Sequence, residues 1–391
     1  MIWSHKNKAA LKLGLVLPGG GARAAYQVGV LRALAKILPK ESPNPFPIIT
    51  GTSAGSINAV ALAIHASHFR KGVLRISHVW ENFNVNQVFR ADPQGLMTAG
   101  AHWLAAMFMG GLGKYNPHSL LDRSPLPPLL DRYLPYENIQ QSIDEGYLHA
   151  IGITASGYNS GQSVTFYQGD KSIIDWDREQ RIGCSEALTT QHLMASSAIP
   201  FLFSAVKINR EYFGDGTMRQ VAPLSPAVHL GADRLLIVGI RKRQLVTPEQ
   251  ILKNTYPSMA QVAGHVLNSI FLDSLDADIE RLERINKTIS LISDKKLEQG
   301  GITLRPVDIL TISPSVSLDE IAQRHAHRLP RSLRFFLRGV GANATHGSSV
   351  ISYLLFEKAF CRELIVLGYK DAMRVKEKIL HFLDTEKPYQ E

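Results

Sequence analysis

Short apolar, β-tolerant runs punctuate the chain at Leu13–Leu17, Ile48–Thr50, His149–Thr154, Ser163–Tyr167, Phe201–Ile208, Leu235–Ile240 and Asp308–Ile312. Between many of them apolar residues return at helical spacing, as at Ala25, Val28, Leu31 and Leu34, or from Ile57 to Ile64. Strands alternating with helices predict an α/β fold with a sheet between helical layers. After Arg243 the character changes: Val262, Val266, Ile270, Ile279 and Leu282 mark a long amphipathic helix between Met259 and Ile285. The run near Asp308 implies that the C-terminal third returns a strand to the sheet. No internal repeat is present.

Two joints between a run and the following helix carry candidate chemistry. After Leu13–Leu17 come Pro18 and three consecutive glycines, Gly19, Gly20 and Gly21. One glycine would serve a tight turn. Three remove side chains from a strand-to-helix joint and expose backbone N–H groups beside the positive end of a helix, a setting for negative charge. The stretch lacks the third glycine of a dinucleotide fingerprint and the Lys-Ser/Thr pair of a P-loop. The second joint reads Gly51-Thr52-Ser53-Ala54-Gly55 between Ile48–Ile49 and the helical run from Ile57. Gly-x-Ser-x-Gly at such a joint is a nucleophile elbow, a strained turn that lifts a serine hydroxyl out of the sheet.

An activated serine needs a base. None of the 14 histidines stands in a special surrounding, although His346 in Asn-Ala-Thr-His-Gly is one candidate. Asp215, between Gly214 and Gly216, is another. An aspartate flanked by glycines reads first as a surface turn, yet this one follows Tyr212 and Phe213 and precedes an apolar unit.

Gly-Gly-Gly-Ala-Arg, Gly-Thr-Ser-Ala-Gly and Asp-Gly-Thr in this order, with Met194–Phe203 (MASSAIPFLF) and Val221–Asp233 (VAPLSPAVHLGAD), resemble the patatin-like phospholipases over about Leu13 to Ile240. The resemblance implies a three-layer α/β/α sandwich with a mostly parallel central sheet, and a serine lipid acyl hydrolase that needs no cofactor. It implies Ser53 as nucleophile and Asp215 as its base without a histidine, with Gly51, Thr52, Ala54 and Gly55 forming the elbow. Gly19, Gly20 and Gly21 correspond to the oxyanion loop, Arg23 to its nearby cation, and Gly216 and Thr217 complete the aspartate motif. Two positions depart from the family pattern: Thr217 replaces a Gly or Ala, and Ala24 a glycine. Thr217 leaves open a lipid-binding or regulatory protein with little turnover.

The domain organisation expected is an acyl hydrolase domain over 13–240, with 91–138 as a lid or insertion, and a mainly helical extension over 241–391. Leu96–Gly113 is the most membrane-like run, but it carries His102 and four glycines, short of the ~18 uninterrupted apolar residues of a span. With Met97, Met107 and Met109 it reads equally as a loosely packed helical insertion or as a lid around an acyl groove.

At 391 residues and 45% hydrophobic the chain buries a large core and is not a disordered protein. The apolar part of the Lys-containing N-terminus spans only Leu13–Leu17 before the glycine loop, so a cleaved signal there would remove the site. Cys184 and Cys361 form no metal or redox spacing. A cytoplasmic protein, with contact to the inner membrane face, is the expectation. Net charge is +9, concentrated between Arg324 and Gly339, where Arg328, Arg331 and Arg334 alternate with Leu333, Phe335, Phe336 and Leu337 without an acid. Such a run is ordinarily a solvated helix face; for a lipid enzyme it suits an anionic membrane surface. No recognition fold accompanies the charge, so nucleic acid is not an expected partner. The expected partner is a lipid, foremost a phospholipid, hydrolysed without a metal.

Overall fold

The computed structural model describes residues 11–90, 118–242, 273–300, 304–339 and 348–384, with isolated positions between 101 and 109 and between 262 and 269. One sheet organises the molecule. Its first five strands, in the order β10 (Asp308–Ile312), β9 (Arg234–Val238), β1 (Leu13–Leu17), β2 (Ile48–Thr52) and β3 (Ala150–Gly157), are all parallel. Beyond β3 the sheet turns mixed: β4 (Ser163–Gly169) runs antiparallel to β3, β6 (Arg181–Ser185) parallel to β4, and β5 (Trp176–Arg178) antiparallel to β6. A hairpin of β7 (Val206–Ile208) and β8 (Glu211–Asp215) joins through β8, which pairs antiparallel with the last residues of β3.

Alternation along the parallel strands builds two apolar layers. Leu13, Leu15 and Leu17 enter a large cluster with the helices α1 (Ala25–Ile37), α2 (Ala54–Ala63) and α3 (Phe69–Glu81). Val16, with Ile48, Leu235 and Ile237, faces a thinner layer made by the segment Leu224–Ala232 and by Leu275 and Ile279 of a helix at Ser274–Ile289. The result is the expected three-layer sandwich. On the thick side the helix Lys358–Arg374 lies along α1, where the buried Asp371 accepts from the Tyr26 hydroxyl at 3.2 Å and from Ser315 N–H at 3.0 Å.

The strand at Phe201–Ile208 is shorter than its apolar run: Phe201 has φ 65°, and pairing starts only at Val206. β5, β6 and β8 lie in runs too short or too charged to stand out as strands. Of the amphipathic helix expected over 259–285, the described part is Ser274–Ile289, and Val262 and Val266 are exposed. Most of Leu96–Gly113, including Met97 and Met107, lies outside the described residues, as does His346; Phe108 and Met109 are exposed. No described helix is long and apolar enough to cross a membrane.

Candidate active site

The pairing of β3 brings the two candidate residues together. On one side of β3, β2 is in register from Ile48 opposite Ala150 to Thr52 opposite Thr154. On the same side β8 takes over at the next residue, with Asp215 opposite Ala155. β2 thus leads straight into Ser53 where β8 ends in Asp215, and a separation that is large in sequence becomes one step along a neighbouring strand.

Ser53 sits in the elbow between β2 and α2 with φ 53° and ψ −132°, a region that a residue with a side chain enters only when its surroundings hold it there. Its N–H donates to Ser196 Oγ at 2.8 Å, and Ser196 Oγ donates to Thr154 O at 2.7 Å, which ties the elbow to β3. Gly55 lets α2 start against the end of β1: a Cβ there would lie 2.1 Å from Leu17 O and 2.6 Å from Pro18 O. Ser53 is 2% exposed.

Asp215 is wholly buried. Its Oδ1 accepts from Thr217 Oγ1 at 2.6 Å and Thr217 N–H at 3.0 Å, while Oδ2 has no partner at full hydrogen-bond geometry. Burial pushes the carboxyl up to about 6; hydrogen bonding from Thr217 and from the Ser53 hydroxyl, and the charge of Arg123, hold it from rising further. Of the two aromatic residues that precede the motif, Tyr212 is half exposed and only Phe213 faces inward. Thr217 does not disturb the motif; its hydroxyl is a second donor to the carboxylate.

Gly19 lies against both groups, because a Cβ added there would be 2.8 Å from Ser53 Cβ and 2.8 Å from Thr217 Cγ2. Among the described residues no backbone acceptor takes the N–H of Gly19, Gly20 or Gly21. Gly21, at φ 53°, sits under the backbone of Tyr353, 2.3 Å from its carbonyl oxygen to a notional Cβ. Arg23 is no free cation at this loop. Buried, it donates to Ser352 Oγ at 2.7 Å and to Asp319 Oδ1 at 2.5 Å, with its guanidinium 4.2 Å from the Tyr353 ring centre. It anchors the glycine loop to the C-terminal helices.

Sequence reasoning assigned no role to three supporting side chains. Ser196 lies in the quoted Met194–Phe203 stretch and holds the elbow. Gln220 accepts from Thr52 Oγ1 at 2.9 Å and donates to Thr154 Oγ1 at 3.1 Å, bridging β2 and β3 beside the site. Arg123, also buried, donates to Met194 O at 2.6 Å and Ser204 O at 2.7 Å; burial pushes it down to about 10 and Asp215 opposes that shift. The Ser-Ser of the first stretch was a signal for Ser196, whereas Gln220 and Arg123 carry none.

From Ser53 a cavity of about 800 Å³ runs between α2, α3 and the helix α4 (Leu126–Tyr133), walled by Ile57, Trp80, Phe83, Leu130, Phe203 and Phe356 among others. An apolar cavity of this size with few polar groups at one end suits an apolar ligand carrying one reactive polar centre.

A model of the patatin-like phospholipase family matches residues 15–228, from β1 past the aspartate motif. The chain belongs to the patatin-like phospholipase family. Lipid-ester hydrolysis is the chemistry of that family. The fold is similar to that of VipD from Legionella pneumophila, at 12% identity and a TM-score of 0.36 over 94% of this chain and 67% of that one. It is similar also to the type III effector protein ExoU, at 14% identity and a TM-score of 0.28 over 95% of this chain and 78% of that one. No curated protein matches the chain.

Proposed function

We propose that this patatin-like protein is a serine lipid acyl hydrolase that cleaves fatty-acyl esters, phospholipids foremost, through a Ser53–Asp215 dyad and an acyl-enzyme. The observation that carries the reading is the head-to-head ending of β2 and β8 on β3, which sets a strained serine beside a buried carboxylate whose Oδ2 is open. Ser53 Oγ attacks the ester carbonyl carbon as its proton passes to Asp215 Oδ2. The N–H groups of Gly19, Gly20 and Gly21 face the oxyanion, each worth roughly 3 kcal/mol of transition-state stabilisation. Asp215 returns the proton to the departing alkoxide, leaving the acyl group on Ser53. A water then gives its proton to Asp215 and attacks the acyl carbon; the proton goes back to Ser53 and a fatty acid is released. A carboxyl raised to about 6 is ionised at neutral pH and is a better base than an exposed aspartate.

In this reading Gly51, Thr52, Ala54 and Gly55 keep the elbow tight, and the apolar cavity takes the acyl chain. The protein acts in the cytoplasm and meets anionic membrane through exposed Arg328 and Arg331 with Phe335, which is 81% exposed. Leu333 and Leu337, in contrast, face the core, and Arg334 is half buried with a buried Nε that has no partner, so the contact surface is narrower than the sequence run.

The test is a fluorophosphonate probe and a total lipid extract. Wild type is expected to label at Ser53 and to release fatty acids and lyso-lipids identifiable by mass spectrometry, with Ser53→Ala silent in both. Release that persists in Ser53→Ala, or that is silenced by a single His→Ala change while Asp215→Asn retains rate, removes the dyad.

A further inference from the structure

The cavity has a second end. Ala54, Ile57, Ala61 and Ile64 present one side of α2 to it, and the run closes at His65. At 1.5 Å of rise per residue Ser53 and Ile64, the residues that flank α2, lie roughly 17 Å apart along the helix, and His65 follows directly. Carbon–carbon bonds of about 1.5 Å advance an extended chain by roughly 1.3 Å each, so this span takes about 13 carbons.

At His65 the lining changes from apolar to cationic. An adjoining polar pocket of about 340 Å³ shares Ile64, His65 and Arg75 with the cavity. His68 and Lys71 complete its basic side, and Asn138, Gln141, Ser142 and Glu145 face them from the helix Glu137–Asp144 and its end. Lys71 and Arg75 stand one turn apart on α3, a spacing at which like charges repel. Among the described residues neither forms an ion pair. Glu145, the one acid lining the pocket, accepts from Gln141 Nε2 at 2.8 Å. Arg75 Nη1 donates to His65 Nε2 at 3.3 Å, so the imidazole is a neutral acceptor; burial first, then the charges of Arg75, Lys71 and His68, push it down to about 4. The pocket therefore holds two fixed cations against one acid, at the mouth of an apolar channel.

We propose that this pocket seats the carboxylate of a long-chain fatty acid whose tail lies along α2 with its methyl end towards Ser53. An amphiphile arriving from outside buries its tail and leaves its charge at the polar mouth, and here the mouth supplies the counter-charge. The bound tail fills the volume that a substrate acyl chain needs when its carbonyl is at Ser53, so the two exclude each other. The inference rests on the acyl-hydrolase reading only in calling the ligand a product: hydrolysis releases the molecule that re-enters tail first and inhibits.

Binding is measured on Ser53→Ala protein, with labelled palmitate in equilibrium dialysis below its aggregation threshold and with the fluorescence of Trp80 in the cavity wall. One palmitate per chain is expected. Lys71→Glu with Arg75→Glu is expected to weaken palmitate at least 10-fold while hexadecan-1-ol, equal in length and uncharged, changes less than 2-fold; Lys71→Gln with Arg75→Gln should fall between. In the active protein palmitate should inhibit hydrolysis of a short soluble ester competitively, with a Ki that rises in step with the binding constant. Equal losses of palmitate and hexadecan-1-ol, or palmitate binding unmoved by either pair of substitutions, overturns the proposal. Should the short ester not be cleaved at all, the hydrolase reading fails while the dialysis experiment still decides the site.

Discussion

Asp215 is a carboxylate held where water does not reach, and that placement has opposite effects on activity and stability. In its proposed role as the base it works ionised, so kcat/KM is expected to rise with pH through about 6, the value to which burial raises it. For folding the sign reverses. The native state binds this proton more tightly than the unfolded chain, whose pKa is near 3.8, so the group's contribution to stability falls between pH 3.8 and about 6 and its full cost is present above. At 1.36 kcal/mol per unit the cost is about 3 kcal/mol. Asp215→Asn keeps the shape without the charge: it should lose about 10⁴-fold or more in turnover yet unfold at higher denaturant than wild type at pH 8, with the gain shrinking as pH drops towards 4. A variant less stable than wild type at pH 8 would show that the carboxylate is compensated. Thr217 supplies the complementary test. Thr217→Val deletes the donor to Oδ1 and should move the acid limb of the rate profile upward, whereas Thr217→Ser should leave it in place; an unmoved limb in Thr217→Val removes the hydroxyl from the base's environment. The sequence made Ser53 and Asp215 legible through their glycine-flanked motifs. It did not reveal what Thr217 does, because a hydroxyl two residues after a carboxylate donates to it only when the backbone turns back, as the short helical turn at Gly216–Met218 does here.

At the level of elements the site is a product of register. β1 matches its apolar run end to end, because a strand buried on both faces reads as continuous apolar sequence; β10 also matches its run, although at the edge of the sheet it keeps half-buried Asp308 and Thr311. β8 was not legible: Glu211-Tyr212-Phe213-Gly214-Asp215 has an exposed edge, a glycine and a charge, and becomes a strand only because the end of β3 is left without a partner when β2 turns off into the elbow. Gly55 shows how tightly that elbow is constrained. Gly55→Ala places a methyl group against Leu17 O and Pro18 O, backbone atoms that cannot move without shifting β1 and the glycine loop together. The variant should lose fluorophosphonate labelling and about 2 kcal/mol or more of stability; full labelling at wild-type rate would mean that the elbow relaxes. Helix Arg331–Gly339 carries a different lesson. Its run of arginines and large apolar residues reads as one surface, but Leu333 and Leu337 are buried and Arg331, Phe335 and Arg338 point outward, so helical period divides the run between core and solvent. Arg328→Glu, Arg331→Glu and Phe335→Ser together should reduce co-sedimentation with anionic vesicles and spare hydrolysis of a short soluble ester; unchanged co-sedimentation would remove this face from the proposed membrane contact.

Across the whole molecule, what the family model covers and what the fold needs are not the same stretch. The match ends at residue 228, yet β9 and β10 complete the parallel half of the sheet from beyond it, and the helix Lys358–Arg374 covers α1. The proposed oxyanion loop is itself held from outside the matched region. The backbone of Tyr353 packs against Gly21, and Arg23, 2% exposed, finds its counter-charge in Asp319 and a further acceptor in Ser352. Removing one partner of a buried ion pair leaves the other desolvated and unpaired, at a cost of about 3–5 kcal/mol. Asp319→Ala is therefore expected to lower the unfolding midpoint and to slow acylation of Ser53, while Asp319→Asn, which keeps an acceptor for Arg23 and Ser352, should recover much of both. The same reasoning extends to a larger cut. A chain ending at residue 242 would expose the edge of β9 and the buried face of α1, and would leave Arg23 without Asp319. We expect that fragment to be recovered aggregated, without fluorophosphonate labelling, and to regain labelling only when the segment 273–391 is co-expressed with it. A soluble, labelled fragment ending at 242 would establish the opposite: that the glycine loop keeps its shape alone, and that the C-terminal third is an accessory rather than a wall of the site.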